Sequence, residues 1–261
     1  MSQSLLRRLI DANVRASRRV SGWTARVVSR RGGLSDFVYE LVPRLLRPGL
    51  RVLDVGGGST PTIRPETVRE LGLFVVGLDI SAERLRQAPA GAYQDFIVGD
   101  VATARISGPF DLVLSSAVLE HVDDVAAAIG NMAGGLSENG LMAHFVPCRN
   151  APFAIINRLL GDRLSRRVLL GLHPERGAIA GFPAYYHRCV PSSVRAICRR
   201  SGLEVVELRP YYVSEYFEFC LPLHVLDLLR QCLLAAVRWP DLAETFTIVA
   251  RKARAAAAGA H

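Results

Sequence analysis

The stretch Arg51-Val52-Leu53-Asp54-Val55-Gly56-Gly57-Gly58 decides how the other residues of this 261-residue sequence are read. Its first five residues form a short, nearly continuous apolar run, the pattern of a strand covered on both faces. Three glycines follow at once. Residues without a Cβ let the backbone turn sharply out of the strand and approach a neighbouring group closely. A strand followed by glycines suits a nucleotide site, but taken alone it is equally a tight turn.

Downstream, the same grammar repeats. Phe74-Val75-Val76-Gly77-Leu78-Asp79 and Phe96-Ile97-Val98-Gly99-Asp100 each read as a strand ending in an acid. Phe110-Asp111-Leu112-Val113-Leu114-Ser115 reads as a fourth strand. Residues 141–146 read as a fifth, entered through the turn Glu138-Asn139-Gly140. Helical segments at 65–71, 82–87 and 125–136 separate them, and Ser35 caps a helix that Pro48-Gly49 ends. Apolar strands alternating with helices define a doubly wound, Rossmann-like α/β sheet with helices on both faces.

Later segments are less regular. Residues 149–188 form a long connection with a helical piece at 155–170. Ser192 or Ser193 then caps a helix to Arg200 that Gly202 closes. A sixth strand at 203–208, an apolar helix from Pro222 to Val237 and a last strand at 245–250 follow. The expected division is a basic N-terminal arm (1–34), a main domain (35–252) with insertions at 149–188 and 211–240, and a flexible tail (253–261).

Half of the residues are hydrophobic and 21% are charged, enough apolar material for a sizeable core. The formal charge of +8 is concentrated in the first 31 residues, where eight arginines face the single acid Asp11. A nearly neutral remainder is a poor match to a domain that tracks nucleic acid, so no nucleic-acid partner is expected. The basic arm reads as a helix that packs on the domain or its cleft, docks on a membrane surface or acidic partner, or addresses an organelle. Five cysteines without C-x-x-C spacing point to a reducing compartment and no zinc site. No apolar signal-like run opens the sequence, so a cytoplasmic location is expected, with membrane association left open. The apolar stretch 217–237 is broken by His224, Asp227 and Arg230, which argues against a transmembrane span. Its narrow polar stripe of His224, Asp227 and Gln231 leaves two readings: core or homodimer packing, or a surface for lipid or an apolar substrate.

Four features fall in order at the C-terminal ends of successive strands, where open α/β sheets bind ligands. These are Asp54 with Gly56, Gly57 and Gly58; Asp79, whose carboxylate suits the two hydroxyls of a ribose; Asp100, which with the Val101 amide suits an adenine edge; and Ser115 leading into Leu119-Glu120-His121-Val122. A dehydrogenase fingerprint G-x-G-x-x-G does not fit, because Pro61 stands where its third glycine belongs.

In this order and spacing the sequence resembles the class I S-adenosylmethionine-dependent methyltransferase family. Val52-Leu53-Asp54-Val55-Gly56-Gly57-Gly58 is similar to its motif I, and Val76-Gly77-Leu78-Asp79-Ile80-Ser81 to its ribose-binding motif. Gly99-Asp100-Val101 is similar to its adenine motif. Phe110-Asp111-Leu112-Val113 with Leu119-Glu120-His121-Val122 resembles its fourth motif, and 136–141 the turn before strand five. The resemblance covers roughly 48–147. It implies seven strands with the last antiparallel, and S-adenosylmethionine bound by Asp54, Gly56, Gly57, Gly58, Asp79, Ile80, Asp100, Val101 and Ser115. Thr60 stands where a further glycine is frequent in the family.

Methyl transfer to a hydroxyl needs a proton acceptor, and His121 and His187 are the candidates, His121 slightly ahead. Each has a plainer reading, His121 as a cap and His187 as part of the local aromatic packing of Phe182-Pro183-Ala184-Tyr185-Tyr186-His187. No metal is expected. The function expected is methylation of a small or lipid-linked acceptor (a glycolipid, saccharide or natural product), at oxygen since no Asn-Pro-Pro-Tyr motif is present. A non-catalytic cofactor-binding or membrane-docked interaction protein is the rival.

Overall fold

The computed structural model describes residues 3–24, 32–161 and 183–253. Its centre is a seven-stranded sheet in the order β3-β2-β1-β4-β5-β7-β6. The strands are β1 (Arg51–Val55), β2 (Phe74–Asp79), β3 (Asp95–Val98), β4 (Phe110–Ser116), β5 (Leu136–Pro147), β6 (Leu203–Tyr211) and β7 (Thr245–Lys252). The first five are parallel, and β7 runs antiparallel between β5 and β6. Chain order reverses at β1, with β2 on one side and β4 on the other, which opens a crevice beyond its C-terminal end.

Alternation along the strands divides the core in two. Leu53, Val55 and Val113 face a layer built from α6 (Val125–Gly135), the helix α7 at 152–161, and α8 (Pro191–Arg200). Val52, Leu112 and Leu114 face the opposite layer. There α2 (Gly33–Asp36) continues through a π-helical turn (Phe37–Leu41) into α3 (Val42–Leu45), beside α4 (Pro65–Glu70). Phe37, Leu41 and Val68 supply its buried side chains. A short α5 (Ala82–Arg86) follows β2. Both faces are covered, which is why the strands read as unbroken apolar runs.

The sequence placed most of these strands within a few residues; β6 and β7 run a little further than expected, and β5 starts five residues early, at Leu136, so the expected turn Glu138-Asn139-Gly140 lies inside it as an irregularity where Asn139 takes a φ of 62°. Ser35 is not a cap: it lies within α2, which starts after Gly32 with no side-chain cap. Two further helix starts differ in their chemistry. At α8, Ser192 and Ser193 are not the cap: the helix opens on Pro191 after Val190, with no side-chain cap. Proline has no N–H to satisfy at the first position, and the second amide finds its acceptor across the fold. The Ser192 amide instead donates to Asp241 Oδ1 at 2.8 Å. At α6, Asp124 is the cap, accepting from the amides of Ala126 and Ala127, each at 3.0 Å. Of the expected helix at 155–170, α7 occupies 152–161 and the remainder lies outside the described residues.

The basic arm forms α1 (Gln3–Thr24) and packs on α9 (Leu221–Val237). Asn13 Oδ1 accepts from the Leu221 amide at 2.9 Å, and the Ser17 hydroxyl donates to the Glu218 carbonyl at 3.0 Å. Arg18 pairs with the Glu218 carboxylate at 3.0 Å, and Ser21 Oγ lies 2.7 Å from His224 Nε2.

Replacing Asp124 by alanine removes both acceptor contacts at the first turn of α6. Urea titration should show a loss of about 1 kcal/mol; an unchanged midpoint would mean that solvent caps this helix equally well.

Candidate functional site

Register places the C-terminal ends of the central strands side by side: Val55 is opposite both Leu78 and Ser115, and Asp79 is opposite Val98. The glycine loop leaves β1 at this rim. Gly56 and Gly58 have φ of 71° and 47°, a region costly to other residues. Space is as restrictive as conformation. A Cβ on Gly57 would lie 2.6 Å from Asp54 Oδ2, and one on Gly58 would lie 2.7 Å from Asp79 Oδ2. The loop therefore packs directly on the two carboxylates that the sequence singled out.

Asp54 is fully buried and anchors the loop's far side. Its carboxylate accepts from the Thr62 amide (2.8 Å), the Thr62 hydroxyl (2.6 Å) and the Tyr93 hydroxyl (3.2 Å). Burial pushes its pKa up to about 6, opposed by the Thr62 and Tyr93 hydrogen bonds. Asp79 is buried, and its Oδ1 accepts from the Ser81 amide at 2.8 Å. Ile80 beside it is exposed. Asp100 is exposed and closes a turn by accepting from the Ala102 amide at 2.8 Å, while the Val101 carbonyl accepts from Asn131 Nδ2 at 2.8 Å. Ser115 has a different partner from the one expected at the rim. It is fully buried, with its hydroxyl 2.6 Å from His144 Nδ1 on β5.

After β4 the chain passes Ala117, in a left-handed conformation, and enters a 3-10 turn at Leu119–His121. Val118 closes against the glycine loop, since a Cβ on Gly56 would fall 2.3 Å from its methyl group. The segment 183–188 is stitched onto this turn. Tyr185 and Tyr186 amides donate to the Glu120 carbonyl at 2.8 and 3.0 Å. His121 Nδ1 lies 2.8 Å from the Pro183 carbonyl, and His187 Nδ1 lies 3.0 Å from Asp123 Oδ1. A carbonyl or carboxylate oxygen can only accept, so both histidines carry the proton on Nδ1 when neutral. Their Nε2 lone pairs are then the proton-accepting sites. Ala117, Tyr186 and Arg188 all take left-handed φ here, strain of the kind that collects at functional sites.

Sequence reasoning passed over Glu120, Thr62 and Tyr93. Glu120 is 4% exposed, its Oε2 has no hydrogen-bond partner among the described residues, and burial raises its pKa to about 8. The acid preceding His121 was visible as a signal; Tyr93, 39 residues from its partner, gave none. Beyond Tyr186 an aromatic cluster continues through Phe153 (6.4 Å between ring centres), Tyr216 (6.2 Å from Phe153) and Phe217 (5.1 Å from Tyr216). A separate depression of about 280 Å³, lined by Arg44, Arg47, Asp111 and Asn139, lies at the opposite ends of the strands.

Comparison with known proteins gives these geometries a context. A family model described as a methyltransferase domain matches residues 28–208. A ubiquinone biosynthesis O-methyltransferase of Rhodopseudomonas palustris (strain BisA53) is 37% identical over 99 residues, 36% of this chain and 38% of that protein. The matched stretch thus spans well under half the length of that relative. One from Ralstonia nicotianae is 29% identical over 181 residues, 67% of this chain and 70% of that protein. Among solved structures, an S-adenosylmethionine-dependent methyltransferase from Mesorhizobium loti superposes with a TM-score of 0.54 at 18% identity, covering 84% of this chain and all of that one. At that identity the likeness concerns the fold.

The Glu120 carboxyl gives a pH-dependent prediction. Its folded pKa lies above the ordinary 4.5, so the folded state holds a proton that the unfolded chain has released. Its contribution to stability is full below 4.5 and is lost as pH rises toward about 8. Glu120→Gln keeps the shape without the titration. Relative to this variant, the wild type should lose stability steadily across that window in urea titrations; a constant difference would mean that the carboxyl is ionised in the fold.

Proposed function

Because the chain belongs to the class I S-adenosylmethionine-dependent methyltransferase family, we propose that it transfers a methyl group from S-adenosylmethionine to a hydroxyl oxygen of a small or lipid-linked acceptor. The observation that carries this reading is the rim itself. The glycine loop packs on Asp79, and through Val118 it contacts the turn that carries His121, whose Nδ1 is held by the Pro183 carbonyl.

The donors and acceptors present suit the cofactor. Asp79 would hold the vicinal diol of its ribose, and the Asp100–Val101 turn would meet its adenine. Ile80, exposed after β2, offers an apolar contact to the base. Bound there, S-adenosylmethionine supplies a methyl group activated by its positive sulfonium. His121 Nε2 takes the proton of the acceptor hydroxyl, and the Pro183 carbonyl holds the imidazole in the tautomer that can do so. His187, turned by Asp123, is the alternate acceptor on the same stitched loop. The cluster of Phe153, Tyr186, Tyr216 and Phe217 supports an acceptor with an aromatic or apolar body. The names of the O-methyltransferase relatives support oxygen as the atom methylated.

Alignment of acceptor and methyl group contributes about 7–11 kcal/mol, and a general base about 10²–10⁴-fold. Two variants separate these roles. Asp79→Ala should weaken S-adenosylmethionine binding at least about tenfold by calorimetry, from the loss of charge-assisted hydrogen bonds. His121→Ala should leave that affinity unchanged but lower labelled-methyl transfer to a panel of phenolic and saccharide hydroxyls by about 10²–10⁴-fold. A folded wild type that binds no S-adenosylmethionine would overturn the assignment, and binding without transfer to any hydroxyl in the panel would remove the acceptor class.

A further inference from the structure

We infer that Arg149 and Arg158 form a subsite for an anionic group, a carboxylate or phosphate, carried by the acceptor. The inference rests on the methyl-transfer reading and narrows the class of acceptor.

The two side chains come from separate elements and are drawn together at Tyr186. Arg149 follows the end of β5 and is half-buried, and its Nη1 donates to the Tyr186 carbonyl at 3.3 Å. Arg158 is exposed on α7. On that helix Phe153 and Asn157 stand one turn apart and both meet Tyr186. Phe153 does so edge-on through its ring, 6.4 Å between centres, and Asn157 through a hydrogen bond to the phenol. Arg158 comes next in the chain after Asn157. Partial burial, and then the charge of Arg149, lower its pKa, so the two guanidinium groups are near enough to repel.

Like charges brought together call for an anion. Among the described residues neither guanidinium pairs with a carboxylate. Arg209 and Arg230 show the contrast, each being held by two acids. Glu120 adjoins the Tyr186 phenol, but burial keeps its carboxyl protonated near neutral pH, so it does not supply the charge. An anionic group between the arginines would end their repulsion and accept charge-assisted hydrogen bonds from two planar forks.

Position ties the pair to the proton acceptor. His121 Nε2 lies 3.9 Å from Glu120 Oε1, the Glu120 carboxyl adjoins the Tyr186 phenol, and Tyr186 adjoins both arginines. An acceptor whose hydroxyl reaches His121 and whose anionic end reaches the arginines would span this short series of contacts.

The test is calorimetric binding of catechol and of its carboxylate-bearing form, protocatechuate, to the full chain loaded with S-adenosylhomocysteine. Labelled-methyl transfer is then measured on the same two compounds. Protocatechuate should bind at least about tenfold more tightly than catechol. Arg149→Gln and Arg158→Gln should each reduce that preference, raising KM for protocatechuate with little change in kcat. Arg149→Lys, which keeps the charge, should retain part of it, and unchanged circular-dichroism melting checks that the variants fold. Equal binding of the two compounds, binding of neither, or a preference that both glutamine variants leave intact would overturn the subsite. Inorganic phosphate displacing protocatechuate at equal affinity would also overturn it, since the arginines would then hold a free anion only. The expected preference without transfer to either compound would support the subsite and count instead against a hydroxyl as the group methylated.

Discussion

The constraint on which the rest depends is the way the chain leaves β1. Its strand is paired on both sides, by β2 and β4, so nothing within it can shift without breaking two ladders. The chain must then turn within Gly56–Gly58, against Asp54 on one side and Val118 and Asp79 on the other. Each neighbour is itself fixed, Asp54 by Thr62 and Asp79 by Ser81. A methyl group added at any of the three glycines collides with one of them. The loop's shape is thus set by close packing and by backbone conformation together, and the crevice beyond it inherits that rigidity.

The sheet was readable because a parallel strand covered on both faces has a distinctive sequence: short, apolar, ended by an acid or glycine. The rim was readable for the same reason, since strand ends locate Asp54, Asp79 and Asp100 without any knowledge of contacts. What the sequence could not supply was partnership across the fold. Tyr93 meets Asp54, and His144 takes the Ser115 hydroxyl, through alignments that no local period encodes. Glu120 stood in the sequence only as the acid before His121, and its burial reveals a carboxyl that stays protonated near neutral pH. Periodicity likewise showed that α9 has a polar stripe and an apolar remainder, but period alone does not say which side faces in. Here the usual assignment is reversed, because the arginine and acids of 227–244 bond with one another beneath the helix.

That inner network explains why the α1–α9 unit holds a defined orientation with little apolar burial. The apolar cluster beneath it is small, centred on Tyr212, Leu234 and Ala243. Burial raises the pKa of Glu244 to about 7 even with Arg230 beside it. A buried ionic set of this kind gains little net stability over apolar packing, yet it is costly to break, since removing one member leaves another buried without its partner. Its contribution here is to fix which face of α9 turns outward.

The energetic ranking at the rim follows from the same preference for position over reactivity. A proton acceptor adds less to a methyl transfer than alignment does. Most of the hydrogen bonds described around the site are therefore positional: Thr62 to Asp54, the Tyr185 and Tyr186 amides to Glu120, His121 to Pro183. The protonated state of Glu120 belongs to this arrangement. Its nearer carboxyl oxygen lies 3.9 Å from His121 Nε2, and an ionised carboxylate at that distance would favour the imidazolium and leave no lone pair to accept a proton. Burial keeps the carboxyl neutral, and the Pro183 carbonyl fixes which imidazole nitrogen of His121 carries its proton.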